Sequence, residues 1–214
     1  MKSLILAATL LLPAHGVLFG LGANEFHIDY WFADGVAVGR VVAVRDGTVH
    51  FEIREWVRDR TEQREVTIRS YRFSPWAGCI PGAEKPAEYA LGEDYLLFMR
   101  QPYDDGGAQV PDWSILAQFL LDGSPVCITQ APSVVVEKGR KGCKDLVRDD
   151  DLLNAVRTFE NCFELYDDPI RGTLPIRQTC NPAGLESWSK RSVLHRVMAE
   201  KAVEQLRKEK SGGV

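Results

Sequence analysis

The chain has 214 residues, of which 45% are hydrophobic and 26% are charged, a composition typical of a globular protein and not of a disordered one. Its formal net charge of −4 argues against binding to a nucleic-acid backbone as the main activity, because such binding depends on an excess of lysine and arginine. The length suits one medium-sized domain, or a small domain with an appendage.

The first residues have the pattern of a secretory signal. Lys2 precedes an apolar run from Leu4 to Leu12, and small residues follow up to Gly16. The run is shorter than the roughly 20 residues that a membrane-spanning helix needs. We therefore expect residues 1–22 to be removed, with cleavage after Gly16 as the alternative. The mature protein is predicted to be periplasmic or secreted, with no transmembrane segment.

A β-rich region follows, between Ala33 and Thr129. Residues Asn24 to Phe32 are predicted to be an aromatic lead-in to the first strand, in which His27 and Asp29 are too few to form a metal site. Three strand-like runs then follow one another, with few residues between them. They are Ala33–Val44, Thr48–Val57 and Arg64–Phe73.

The second of these runs alternates between apolar and polar residues, as a half-buried strand does. One face is predicted to carry Val49, Phe51, Ile53 and Val57. The opposite face is predicted to carry His50, Glu52, Arg54 and Trp56.

Three further strands are predicted after a long loop. The loop, Ser74 to Gly92, is rich in proline and glycine and excludes regular structure. Asp94 to Arg100 is almost entirely apolar, as in a strand covered on both faces. Two more strands are predicted at Trp113–Leu121 and Val126–Thr129. Five to six antiparallel strands of this kind favour a small barrel, closed or partly open, because closure removes exposed edges.

The composition changes after Ala131, and we predict a domain boundary there, between a barrel domain (23–130) and a helical extension (131–214). The first predicted helix covers most of Asp151 to Glu164, with three aspartates complementing its N-terminal end. Its apolar stripe consists of Leu152, Leu153, Val156, Phe159 and Phe163. The second predicted helix covers Leu185 to Lys208. The predicted fold class is thus mainly β with an α extension: a small OB-type barrel followed by two helices.

An exported chain meets oxidising conditions, so disulfides are the leading interpretation of its five cysteines. These are Cys79, Cys127, Cys143, Cys162 and Cys180. Because five is odd, one thiol stays free or pairs with another molecule. No C-x-x-C motif occurs and no histidine is close to a cysteine in the sequence, so neither a metal site nor a cofactor is predicted. Spacing alone does not fix the connectivity.

Several of these segments together resemble the N-terminal domain of the tissue inhibitors of metalloproteinases and the wider netrin-like group. The matching stretches are ADGVAVGRVVAV, the strand pair that follows it, WAGCIPG, GEDYLLFMR and PVCIT, within Ala33 to Thr129. The resemblance implies an OB-type barrel, a secreted protein and a protein-binding role. It implies no inhibition, because the family's N-terminal C-x-C, which chelates the protease zinc, has no counterpart before Cys79.

The resemblance also leads to a disulfide hypothesis. In the family, the cysteines that correspond to Cys79 and Cys127 bond to the missing C-x-C, so here we expect them to bond to each other. Cys162 and Cys180 would form the second pair and Cys143 would be left over. Pairing of Cys143 with Cys162 or with Cys180 stays open as an alternative.

The leading functional hypothesis is an exported protein-interaction module whose protein partner is unidentified. One alternative is a periplasmic or secreted enzyme with scattered carboxylates such as Glu52 and Glu55, with bases drawn from His27, His50 and His195. Another is an OB barrel that binds a glycan or an oligonucleotide, although the acidic balance counts against nucleic acid. No G-x-S-x-G, H-E-x-x-H or phosphate-cradling glycine loop is present in the sequence, and no oligomeric state is predicted.

Overall fold

The structure, a computed structural model, describes residues 26–45, 48–58, 63–69, 89–101, 113–129, 135–138, 142–166 and 176–211. The predicted signal, most of the loop from Ser74 to Gly92, and Cys79 lie outside the described residues.

The main element is a five-stranded antiparallel sheet in the order β3–β2–β1–β4–β5. Its strands are β1 (Gly35–Arg45), β2 (Thr48–Arg58), β3 (Glu65–Arg69), β4 (Asp94–Arg100) and β5 (Ser114–Leu120). Each lies within a predicted strand or overlaps it. The sheet curls so that its two edges meet at one point, where the N–H of Trp113 donates to the carbonyl of Thr67 at 3.3 Å. No further pairing joins the edges among the described residues, and the barrel is not closed.

Strand β4 is buried on both faces, as its sequence predicts. Its residues Tyr95, Leu97 and Met99 join a cluster inside the curl of the sheet, which we call the inner core. Leu96 and Phe98 point the other way and join a larger cluster, the outer core, which is shared with the helices. Because the period of a strand is two residues, one uninterrupted apolar run serves both cores.

A β-bulge corrects the predicted faces of β2. The register between β1 and β2 shifts opposite residues 38–39, where β2 has an extra residue at Arg54. Beyond this point Trp56 packs on the inner core and Val57 on the outer core. The prediction that Val57 shares the face of Val49 is wrong, since one inserted residue reverses the alternation.

The aromatic lead-in is a helix, α1 (Phe26–Phe32), and not an extended segment. Phe26 and Tyr30 are four residues apart, so they lie on one side of the helix, and both are fully buried. Their rings lie 5.1 and 5.7 Å from the ring of Phe98 in β4. The side chain of Arg58 in β2 holds the C-terminal end of this helix in place by donating hydrogen bonds to the carbonyl oxygens of Tyr30 and Ala33.

The sixth predicted strand does not belong to the five-stranded sheet. It is β6 (Val126–Thr129), and it pairs antiparallel with β7 (Val135–Lys138) and β8 (Leu146–Val147) in a separate sheet. Two short strands, β9 (Phe163–Leu165) and β10 (Ile176–Gln178), form a third, two-stranded sheet.

The first predicted helix is shorter than expected. It is α2 (Asp149–Thr158), which is followed by a 3-10 turn (Phe159–Asn161) and then β9. The aspartates do occupy its first turn, and Asp149 accepts a hydrogen bond from the N–H of Gly123 at 2.7 Å. The predicted apolar stripe packs on the outer core even though the helix ends early. Leu153 is partly buried. The buried members of the stripe are Leu152, Val156, Phe159 and Phe163.

The second predicted helix is two helices, α3 (Pro182–Ser189) and α4 (Val193–Ser211). The outer core contains residues from both sides of the domain boundary predicted near Ala131, so apolar packing is continuous across it. The boundary itself stays a prediction. Within the described part of the chain, no helix is both long and apolar enough to span a membrane.

Candidate functional site

The two C-terminal helices enclose the candidate site, and local sequence signals determine where each begins. The side chain of Asn181 accepts a hydrogen bond from the N–H of Gly184 at 2.8 Å, which makes Asn181 the N-cap of α3, and Pro182 follows at the first helical position. The hydroxyl of Ser192 accepts from the N–H of His195 at 3.4 Å and caps α4 in the same way. Two capped starts only eleven residues apart explain why one long helix does not form.

A disulfide fixes the start of α3 to the rest of the fold. Cys162 and Cys180 are bonded, with Cα atoms 4.5 Å apart, and the N–H of Thr179 donates to the carbonyl of Cys162 at 2.8 Å. The predicted pair Cys162–Cys180 is therefore confirmed. It ties the end of the 3-10 turn to the residue that precedes the cap of α3.

The other predicted disulfide is wrong. Cys127 is bonded to Cys143, with Cα atoms 5.8 Å apart, so it is not available to Cys79. The reason is topological: β6, which carries Cys127, pairs with β8, and Cys143 comes just before β8 in the chain. Cys143, predicted to be left over, is thus used, and Cys79 lies outside the described residues.

Trp188 anchors α3 on the outer core. The indole is buried, and its ring lies 5.9 Å from that of Phe159 and 6.0 Å from that of Phe163. Its N–H donates to the hydroxyl of Thr158 at 2.8 Å, which satisfies the one polar atom that the indole carries into the interior.

His195 of α4 is the centre of a buried polar cluster between α4 and α2. Its Nδ1 lies 2.8 Å from the hydroxyl of Ser192, and its Nε2 lies 3.2 Å from the side-chain oxygen of Asn154 in α2. The neutral ring satisfies both contacts, with Nε2 donating to Asn154 and Nδ1 accepting from Ser192. Burial, and to a lesser extent the positive charge of Arg191, lowers the pKa of His195 to about 4.

This cluster has the contacts of a serine–histidine–asparagine relay, but its chemistry favours a structural role. A base with a pKa near 4 is far from the value near 7 that suits general-base catalysis. The imidazole is only 1% exposed, and the Ser192 oxygen already accepts the capping hydrogen bond of α4. The cluster therefore joins α2 to the start of α4.

The other residues considered for catalysis are not brought together. His27 lies in α1 and His50 in β2, where its Nδ1 is 3.1 Å from the hydroxyl of Thr67. Glu52 is paired with Arg54 at 3.1 Å. Glu55 forms a two-pronged ion pair with Arg157 of α2, across the interface between the sheet and the helices. Among the described residues, no three histidine, cysteine or acidic side chains are grouped as a metal site would require.

A concave surface lies between α3 and α4, and we call it the α3–α4 groove. Its volume is about 1140 Å³ and its lining is mostly apolar. Leu185 from α3 and Val193 and Val203 from α4 form the floor, together with the more deeply buried Ala199. Charged side chains form the rim. They are Glu186, Lys190, Arg196, Glu200, Glu204 and Arg207.

The sequence pattern predicted a single helix from Leu185 to Lys208, so the groove between α3 and α4 was not predicted. The two N-cap signals, Asn181-Pro182 and Ser192 three residues before His195, were available and predict two helix starts. Two helices joined by a short turn pack against each other, and here a groove lies between them. With two helix starts recognised, Val193 and Val203, which line the groove, can be separated from the residues on the buried face of α4.

No family model, curated protein or solved structure matches this chain. The candidate site is therefore defined by its geometry alone.

Proposed function

We propose that the protein is an exported protein-interaction module that binds an apolar segment of another protein in the α3–α4 groove. The observation that carries this proposal is the groove itself, an open surface with apolar residues on its floor and charged residues around its rim. Protein interfaces have this anatomy, with an apolar centre that excludes water and a polar rim.

The apolar lining of the groove favours an amphipathic helical segment as its occupant. Amphipathic helices bind other proteins by laying their apolar face into an apolar groove. Leu185, Val193 and Val203 are each only partly buried, so an occupant would remove further apolar surface from water. The base of the groove is held in place by Trp188 and by the Cys162–Cys180 disulfide.

Two disulfides in the described residues support the exported setting, because disulfides persist in oxidising compartments and are rare in reducing ones. The secretory pattern of residues 1–22 predicts the same setting. The resemblance to the netrin-like group stays a prediction, and it implies protein binding as well.

A pair of matched substitutions tests the proposal. Val203→Asp places a carboxylate on the floor of the groove, while Val44→Asp makes the same change on β1, where the side chain is 46% exposed. We expect the wild-type protein, purified from its exporting cell, to carry one stoichiometric partner. Val203→Asp should reduce its recovery at least about tenfold, because an unpaired charge would be buried in the interface, and Val44→Asp should leave it unchanged.

Quantitative co-purification under identical conditions measures both variants, and circular dichroism verifies that each is folded. Equal recovery of the partner with Val203→Asp and with wild type would assign binding to another surface. Absence of any stoichiometric partner would contradict the proposed function.

A further inference from the structure

The rim of the α3–α4 groove contains two kinds of charged residue. In the first kind, the charge is already compensated within the protein: Glu186 pairs with Lys190, and Glu204 pairs with Lys208 at 2.9 Å and with Lys201 at 3.3 Å. These ion pairs keep the rim hydrophilic. Because their charges are already compensated, they leave little net charge for an occupant to contact.

The second kind consists of Arg196, Glu200 and Arg207, all exposed and all on α4. None of the three has an ion pair among the residues that the structure describes. Successive residues of a helix are about 100° apart, so these three and Val203 fall within a sector of about 60°. The charges therefore form a single line along α4, in the order positive, negative, positive, with Val203 on one side of it and Val193 about 20° beyond Glu200 on the other.

We propose that the occupant of the groove is an amphipathic helix that carries charges in the complementary order next to its apolar contacts: a carboxylate, a cation, then a carboxylate. This inference rests on the proposed function and specifies its partner. The apolar face of the occupant contacts Leu185, Val193 and Val203, while its two carboxylates pair with Arg196 and Arg207 and its cation pairs with Glu200.

The spacing of the three charges is unequal and gives the occupant a direction. With a rise of about 1.5 Å per residue, Glu200 lies about 6 Å from Arg196 and about 10 Å from Arg207 along α4. A parallel helix matches this with charges at positions 1, 5 and 12. An antiparallel helix needs them at positions 1, 8 and 12. Charges at an interface rim mainly determine specificity and orientation, as this arrangement requires.

Four synthetic helical peptides test the inference directly. All share one leucine-lined apolar face, and two carry Glu, Lys, Glu at positions 1, 5, 12 or at positions 1, 8, 12. The other two carry Lys, Glu, Lys at the same positions. Fluorescence anisotropy against the folded protein gives the affinities. We expect one Glu-Lys-Glu peptide to bind about tenfold more tightly than its charge-reversed counterpart, the combined effect of three exposed ion pairs. The difference should shrink at high salt.

Charge reversal on the protein completes the test. In the double variant Arg196→Glu/Arg207→Glu the preference should invert, so that the Lys-Glu-Lys peptide binds more tightly. Both side chains are exposed, and circular dichroism verifies the fold. Equal binding of all four peptides that is abolished by Val203→Asp would refute the charge pattern and keep the groove as a binding site.

Further results would contradict the inference in two ways. Some would also refute the proposed function, and one would identify a different occupant. Binding that Val203→Asp does not weaken, or no binding at all, would refute both. A wild-type dimer that Val203→Asp makes monomeric, measured by analytical ultracentrifugation, would identify the occupant as a second copy of this chain and overturn the inference.

Discussion

Replacing Phe159 with alanine is expected to lower the free energy of unfolding by about 3–5 kcal/mol. The phenyl ring is fully buried where three parts of the fold meet. Its centroid lies 5.2 Å from that of Tyr30 in α1, 4.9 Å from that of Phe163 in β9 and 5.9 Å from that of Trp188 in α3. Truncation would leave a cavity that these rings cannot all move to fill. Urea denaturation measures the loss.

Phe32→Ala is the matched control, because it removes the same ring from a position that is 41% exposed. Its effect should be less than about 1 kcal/mol. Equal losses for Phe159→Ala and Phe32→Ala would show that the outer core does not depend on the 3-10 turn. The base of the α3–α4 groove would then need another support.

Lowering the pH is expected to reduce the free energy of unfolding by the second large amount. Two histidines, His27 and His195, are buried, and burial lowers the pKa of each to about 4. Positive charges add to the effect of burial: Lys201 and Lys208 of α4 face His27, opposed by Glu204. Arg191 acts on His195 in the same sense, opposed by Asp151.

The direction of the effect follows from proton binding. Between pH 6.5 and pH 4 an unfolded histidine is protonated while these two remain neutral in the fold, so the unfolded state binds more protons. The stabilisation is fully present above pH 6.5 and is lost as the pH falls to 4. Each histidine contributes a loss of about 3 kcal/mol over this interval, or about 1.4 kcal/mol per pH unit.

Denaturation at a series of pH values, with the single variants His27→Gln and His195→Gln, separates the two contributions. Each variant is expected to reduce the slope of stability against pH by about 1.4 kcal/mol per unit between pH 4.5 and 6, and the double variant by twice that. Slopes unchanged in both single variants would mean that carboxylates, and not these histidines, determine the acid sensitivity.

The strands of the five-stranded sheet could be predicted from the sequence, because the alternation of apolar and polar residues along a strand is a local property. The apolar run of β4 predicted burial on both faces, which the inner and outer cores confirm. Local alternation did not reveal the bulge at Arg54, since the extra residue is defined only by its partner strand. The sequence around Trp56 therefore predicted the wrong face.

Tertiary contacts explain the remaining differences. The α1 helix is seven residues long and depends on packing against Phe98, so its sequence did not distinguish it from an extended segment. The bond between Cys127 and Cys143 depends on the pairing of β6 with β8, which spacing does not predict. Arg196, Glu200 and Arg207 fall on one helical stripe, but which charges of α4 form ion pairs within the protein depends on side-chain geometry.

Photo-crosslinking from the floor of the α3–α4 groove tests directly whether a protein partner binds there. A benzophenone amino acid is placed at Val203, and separately at Val44 on β1 as the control, and each protein is irradiated in the exporting cell. We expect one crosslinked protein partner from position 203 and none from position 44, with crosslinks mapping to an amphipathic segment of that partner. The same products from both positions, or none from position 203, would contradict it.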